Sequence, residues 1–215
     1  MTDIIKFTFD FFAHVLPGLL IMVAISLFFI PIELIEKIME LENSATSIEE
    51  MQAYGTMVSQ MMGNFDIGQG ILITIVAYIV GFAASPFGKI LYKKWGFKIW
   101  PKKVVNNVDM FISDKFVLIR EFSPANFEYV ERWHMYCSLS HNLAVATLVF
   151  FIVSLVQAFV GVIGNPLIWI TIAAISLLLF FIFLYNAVIY SIWAQHDLNA
   201  AISALGLKAK GKNQS

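Results

Sequence analysis

Four uninterrupted apolar runs leave this chain few ways to fold. They lie at about residues 11–32, 70–91, 143–163 and 166–193. A helix rises ~1.5 Å per residue, so about 20 apolar residues cross the ~30 Å of hydrocarbon in a bilayer. Each run meets that length, and the fourth is long enough to tilt. The runs are continuous rather than alternating. That excludes spanning strands, which cross a membrane only in closed barrels with alternating faces. Composition agrees: 59% of residues are apolar and 13% charged, where soluble domains carry about 25% charged residues. The expected fold is all-α, a polytopic membrane protein with four transmembrane helices and a small helical region outside the bilayer.

Charge orients the spans. Residues 33–69 carry Lys37 as their one cation against Glu33, Glu36, Glu40, Glu42, Glu49, Glu50 and Asp66. From Lys89 to His141 there are nine cations, and Lys208, Lys210 and Lys212 follow near the end. The bias of lysine and arginine toward the inner side places the middle segment and both termini in the cytoplasm and the acidic segment outside. Trp95, Trp100, Trp169 and Trp193 fall at span ends, as interfacial anchors do. The opening "MTDIIKFTFDFF" lacks the basic region and small-residue cleavage site of a signal peptide, so the first span is expected to stay as an anchor. Gly164-Asn165-Pro166 is a turn signal that makes the last two spans a hairpin. Three regions result: 1–92 with the first two spans and the acidic loop, the basic region 93–141, and 142–215 with the hairpin and a C-terminal helix.

The regions between spans also carry pattern. Ser47-Ile48-Glu49-Glu50 is a capping box that predicts a short outer helix. It is rich in methionine, a residue that adapts to irregular apolar partners. On the inner side, Val104, Val108, Phe111, Ile112, Phe116 and Ile119 form one helical stripe. Ser123-Pro124 reads as a cap followed by a first-turn proline, and Glu128 and Arg132 stand four apart on one helix face. No breaker separates Pro124 from Gly161, which predicts one continuous helix entering the third span from below. The basic run "GKILYKKWGFKIWPKK" mixes Lys93, Lys94, Lys98, Lys102 and Lys103 with tryptophans. It suits anionic lipid headgroups or a partner protein better than nucleic acid.

Few residues offer chemistry. His134, Cys137 and His141 stand at i, i+3 and i+7 on one helix face. Zinc accepts such ligands, and His14, His196 or a neighbouring subunit could complete the set. The competing account is a membrane boundary, where amphipathic rings are comfortable and a cysteine packs as a small apolar residue. It is favoured because closed metal sites draw four ligands from one fold. The single cysteine excludes an intrachain disulfide. No nucleotide loop, nucleophile triad or complete metal motif occurs, so neither catalytic residues nor a cofactor is expected. A membrane enzyme using Glu131, His134 and His141 is the last of the alternatives.

Within the spans, acids and bases are missing from the central turns, which argues against pumps and ion-coupled carriers. Gln157 and Asn186 are the most demanding polar residues there, serving either as interhelical bonds or as a pore lining in an oligomer. Ala77, Gly81 and Ser85 recur every four residues and allow a close helix approach. Pro17-Gly18 interrupts the first span. The proline removes the bond to the Ala13 carbonyl, giving a static kink or a hinge.

The Pro-Gly of "FFAHVLPGLL", the "VGFAASPFGKILYKKW" exit and the "ERWHMYCSLSHNLA" entry together resemble small four-span inner-membrane proteins of bacterial anti-phage defence loci. The membrane subunits of the Kiwa system are one such group. The resemblance implies an oligomeric inner-membrane sensor or scaffold that works with a cytoplasmic partner during infection. A pore-forming or membrane-disrupting effector is the alternative.

Overall fold

The computed structural model describes residues 3–29, 67–101, 110–160 and 166–206. The described residues are helical, with no strand among them. Helix α1 spans Asp3–Phe29 and α2 spans Ile67–Ile90. The latter continues through a π-helical turn, Leu91–Gly96, and a last α-helical turn, Phe97–Ile99. Helices α3 (Ile112–Phe122), α4 (Pro124–Val160) and α5 (Pro166–Ala204) follow. The first two and last two of these are long and apolar enough to cross a membrane. The outer capping box and its methionines, Asn165 of the expected turn, Lys102, Lys103, Val104, Val108 and the three tail lysines lie outside the described residues.

Helix α4 starts at Pro124 and ends at Val160, where the absence of breakers puts it. The Phe127 N–H donates to the Ser123 carbonyl at 3.0 Å, opening the helical ladder. The Asn126 side-chain amide donates to Ser123 Oγ at 2.8 Å. Two helices outrun the sequence expectation. α5 passes Trp193 and reaches Ala204, where Gly206 at φ 69 ends it in the left-handed conformation that glycine tolerates. α2 runs on through the basic segment as far as Ile99. Its buried positions there, Gly88, Tyr92 and Gly96, recur every four residues. An α-helix at ~3.6 residues per turn drifts away from that spacing, and the wider π turn holds it on one side.

Contacts divide the chain into two compact units. The first comprises Met1–Ala13, Ala84–Ala144 and Phe181–Ser215. Its apolar core is Ile119, Val130, Ala194, Leu198, Ala201 and Ile202, with Phe116, Phe127, Trp133 and Leu205 against it. Full burial of one such aliphatic side chain stabilises by about 1.5–3 kcal/mol. The expected stripe on α3 is corrected here. Ile119 is buried and Phe116 packs on the core, but Phe111 and Ile112 are 81% and 57% exposed. Phe111 is the extended N-cap of α3 rather than part of the helix, so the helical stripe does not continue through it. Lys115, one turn before Ile119, takes an inner position instead. It is 1% exposed, and its Nζ donates to Asn199 Oδ1 at 2.7 Å.

The second unit comprises His14–Ala83 and Val145–Phe180. Here α1 and α2 cross with their backbones in contact. A Cβ on Gly18 would overlap the Ala77 carbonyl oxygen, and one on Gly81 would overlap that of His14. Neither helix could approach so closely with a side chain at those positions.

Candidate functional site

The sequence candidates near the basic end of α2 resolve into separate roles. His134 packs its ring on Phe116, with centroids 5.1 Å apart. Cys137 Sγ donates to the Ala187 carbonyl at 3.3 Å. His141 stacks on Tyr92 at 5.6 Å with the rings 8° from parallel. Among the described residues, no three His, Cys, Asp or Glu side chains form a group able to hold a metal ion. Sharing a helix face is not sharing a site. Seven residues of helix rise ~10 Å, so His134 and His141 cannot both reach one ion whose ligand bonds are ~2 Å. The structure assigns them packing roles at the point where α4 meets α2, α3 and α5.

Tyr92, which sits in the π turn, ties this region together. It is buried, with Cys137 and Ser191 in hydrogen-bonding reach. A Cβ on Gly88 would come within 2.6 Å of His141 Nδ1 and its carbonyl oxygen. One on Gly96 would come within 2.6 Å of Val188. The glycines let α2 lie against α4 and then α5, and the opposite side of the helix carries Lys89, Lys93, Lys94, Lys98 and Trp95, all exposed. That arrangement of cations and an indole suits the headgroup layer of a membrane.

Sequence reasoning missed Asn142. Its Nδ2 donates to the Ala13 carbonyl at 2.9 Å, and the residue is fully buried. Ala13 is four residues before Pro17, so its carbonyl is the one that the proline leaves without an intrahelical donor. Hydrocarbon offers no replacement, and a side chain from another helix supplies one. The signal that could have found it was present: an asparagine at the start of a span, and a carbonyl in need of a donor. Pro17 and Gly18 are both buried. The freed carbonyl is bonded and Gly18 is pressed on α2, which holds this stretch in place.

Ala77, Gly81 and Ser85 are all buried, as their spacing predicts. Gln157 is 5% exposed and donates from Nε2 to the Leu27 carbonyl at 3.1 Å. Leu27 is in the last turn of α1, where carbonyls lack helical partners, so the bond is interhelical. Asn186 is half-buried and adjacent to Ala187. Gly96 packs on Leu184 and Val188. Asn186 therefore lies in the two turns of α5 that pack on Gly96 of the lysine-bearing segment.

Beyond those turns, α4 and α5 continue as a helix pair. Trp133 Nε1 donates to Asp197 Oδ2 at 2.8 Å. Trp133, Tyr136, Tyr190 and Trp193 form one aromatic cluster, with Trp133 and Trp193 centroids 4.8 Å apart. Past it, Asn126, Tyr129, Asp197, Ala200, Ala201 and Ala204 line an open groove of about 370 Å³. The Arg132 guanidinium carbon stands 5.2 Å from the Tyr129 ring centre, an exposed cation–π contact at its rim. The groove has alanines for a floor and one carboxylate, with no nucleophile and base paired in it.

No protein-family model, curated protein or solved structure matches the chain.

Proposed function

We propose that the chain is a non-enzymatic scaffold of the bacterial inner membrane that presents a docking surface to a soluble cytoplasmic protein. The observation that carries this is the length of α4 and α5, 37 and 39 residues. Such helices extend ~55–58 Å, nearly twice the hydrocarbon thickness. The surplus forms an apolar core with α3 and the open groove beside Asp197. A protein that needed only a membrane anchor would have no use for either. The lysines of α2 put this end in the cytoplasm, by the positive-inside bias, and bring both termini with it. Anionic lipid then meets Lys93, Lys94 and Lys98. Several copies would assemble, a proposal supported by the exposed apolar face of α2. The resemblance to membrane subunits of anti-phage loci supplies the purpose we propose, which is reporting envelope disturbance during infection.

The scaffold is the reading we prefer to a pore. Gln157 is committed to the Leu27 carbonyl within the chain, and Asn186 sits by the lysine-bearing segment. A photo-crosslinking residue at Ala200 in the host cell tests the scaffold role. It should trap one soluble protein, and a groove-filling Tyr129→Trp/Ala204→Trp variant should release it at unchanged membrane abundance. Crosslinks from Ala200 no more specific than those from the exposed Leu178 would refute it.

A further inference from the structure

In the second unit, Ser154 and Gln157 stand one turn apart on α4, and both are deeply buried, at 0% and 5% exposure. Each has an oxygen with no hydrogen-bond partner among the described residues: Ser154 Oγ and Gln157 Oε1. Three helix hydroxyls elsewhere satisfy themselves on their own backbone. Thr74, Thr171 and Ser203 each donate to the carbonyl four residues back, all at 2.8 Å. Ser154 makes no such bond. The Gln157 amide cannot turn to help, because the Leu27 carbonyl accepts only from a donor and holds Nε2 toward itself. Its Oε1 is thereby fixed pointing elsewhere, on the side of the helix that Ser154 shares.

Two buried oxygens left unpaired in hydrocarbon would each be destabilising. The group that satisfies both must donate to an amide carbonyl and exchange a bond with a hydroxyl. It must also be small enough to enter a packed bundle. Water meets all three conditions, and buried waters occur where two or more polar groups converge. We propose that Ser154 and Gln157 hold an internal water molecule that donates to Gln157 Oε1 and shares a second hydrogen bond with Ser154 Oγ. It bridges two turns of α4 at Gln157, whose amide bonds the Leu27 carbonyl of α1.

X-ray-generated hydroxyl radicals test this, since they form from bound water as well as from bulk and oxidise the side chains beside it. On the full chain in detergent, Val153, 6% exposed, is compared with Val188 and Leu184, both 0% exposed. Oxidation of Val153 should run at least about fivefold faster than that of the two references. It should fall to their level in Ser154→Ala and in Gln157→Leu. Ser154→Ala is the milder change and keeps the test open if Gln157→Leu fails to fold. Wild-type oxidation of Val153 no faster than that of Val188 overturns the proposal. So does rapid oxidation that persists unchanged in Ser154→Ala, since the radicals would then come from bulk solvent.

Discussion

Replacing Gly81 by alanine should weaken the protein, although alanine is the better helix former. In an open helix position the change from glycine stabilises by about 0.5–1 kcal/mol. At Gly81 the added Cβ would lie on the His14 carbonyl oxygen, 2.7 Å from that carbonyl carbon and 3.1 Å from the His14 Cα. Carbon atoms attract best at about 3.5–4.0 Å, so α1 must retreat by roughly 1 Å. The obstacle is backbone, which has no rotamer to change. A retreat of α1 would also draw Gly18 away from Ala77 and Gly81, where a Cβ would come within 3.0 Å of the Gly81 nitrogen. Overpacking of this kind costs about 1–3 kcal/mol. Gly70, on the same helix, has nothing within 4 Å of its added Cβ and is the matched control. Equilibrium unfolding of the two variants in one detergent should give shifts of opposite sign. Gly81→Ala should move the unfolding equilibrium about five- to hundredfold toward the unfolded state. Gly70→Ala should leave it unchanged or move it the other way. If Gly81→Ala is as stable as Gly70→Ala, the close helix crossing is wrong.

Other outcomes follow from individual bonds. Asn142→Ala should destabilise by about 0.6–2 kcal/mol, because the Ala13 carbonyl loses its donor. In a Pro17→Ala background, the backbone N–H restored by that substitution can bond the same carbonyl. There Asn142→Ala should cost clearly less, and a double-mutant unfolding cycle reads the difference. Lys115→Ala should cost about 2–4 kcal/mol, through lost packing and the lost bond to Asn199. Lys93→Ala, at an exposed site, should stay within about 0.5 kcal/mol of the parent in the same thermal scan.

The spans were legible because hydrocarbon imposes a length and tolerates few polar residues, so four apolar runs have one reading. The continuity of α4 was legible for a local reason: nothing between Pro124 and Gly161 breaks a helix. The Ala77, Gly81, Ser85 spacing announced a close contact, but not that Gly18 would answer it from α1. Contacts made across the chain were harder to see. Asn142 and Ala13 are 129 positions apart, and the proline that creates the need for their bond sits in a different helix from the residue that meets it. Lys115 is one of the nine cations between Lys89 and His141 that orient the spans, and nothing in that count shows it buried. Its burial follows from a tertiary partner, Asn199, in α5. In "LYKKWGFKI" the lysines drew notice, and the buried stripe of Gly88, Tyr92 and Gly96 on the other side of the helix went unread. In the histidine-cysteine set the spacing shows a shared helix face, while two turns of helix rise separate its outer members.

The central claim is that α5 leaves the bilayer near Trp193 and carries its last turns into water as part of a docking surface. Nitroxide labels placed singly along α5 in lipid bilayers measure this by their relaxation with oxygen, which concentrates in hydrocarbon, and with a water-soluble nickel chelate. Labels at Leu178 and Ile182 should respond to oxygen, and labels at His196 and Ala200 to nickel, with the crossover between Ile182 and His196. If a label at Ala200 responds to oxygen as Leu178 does, that end of α5 lies in lipid and the scaffold account fails.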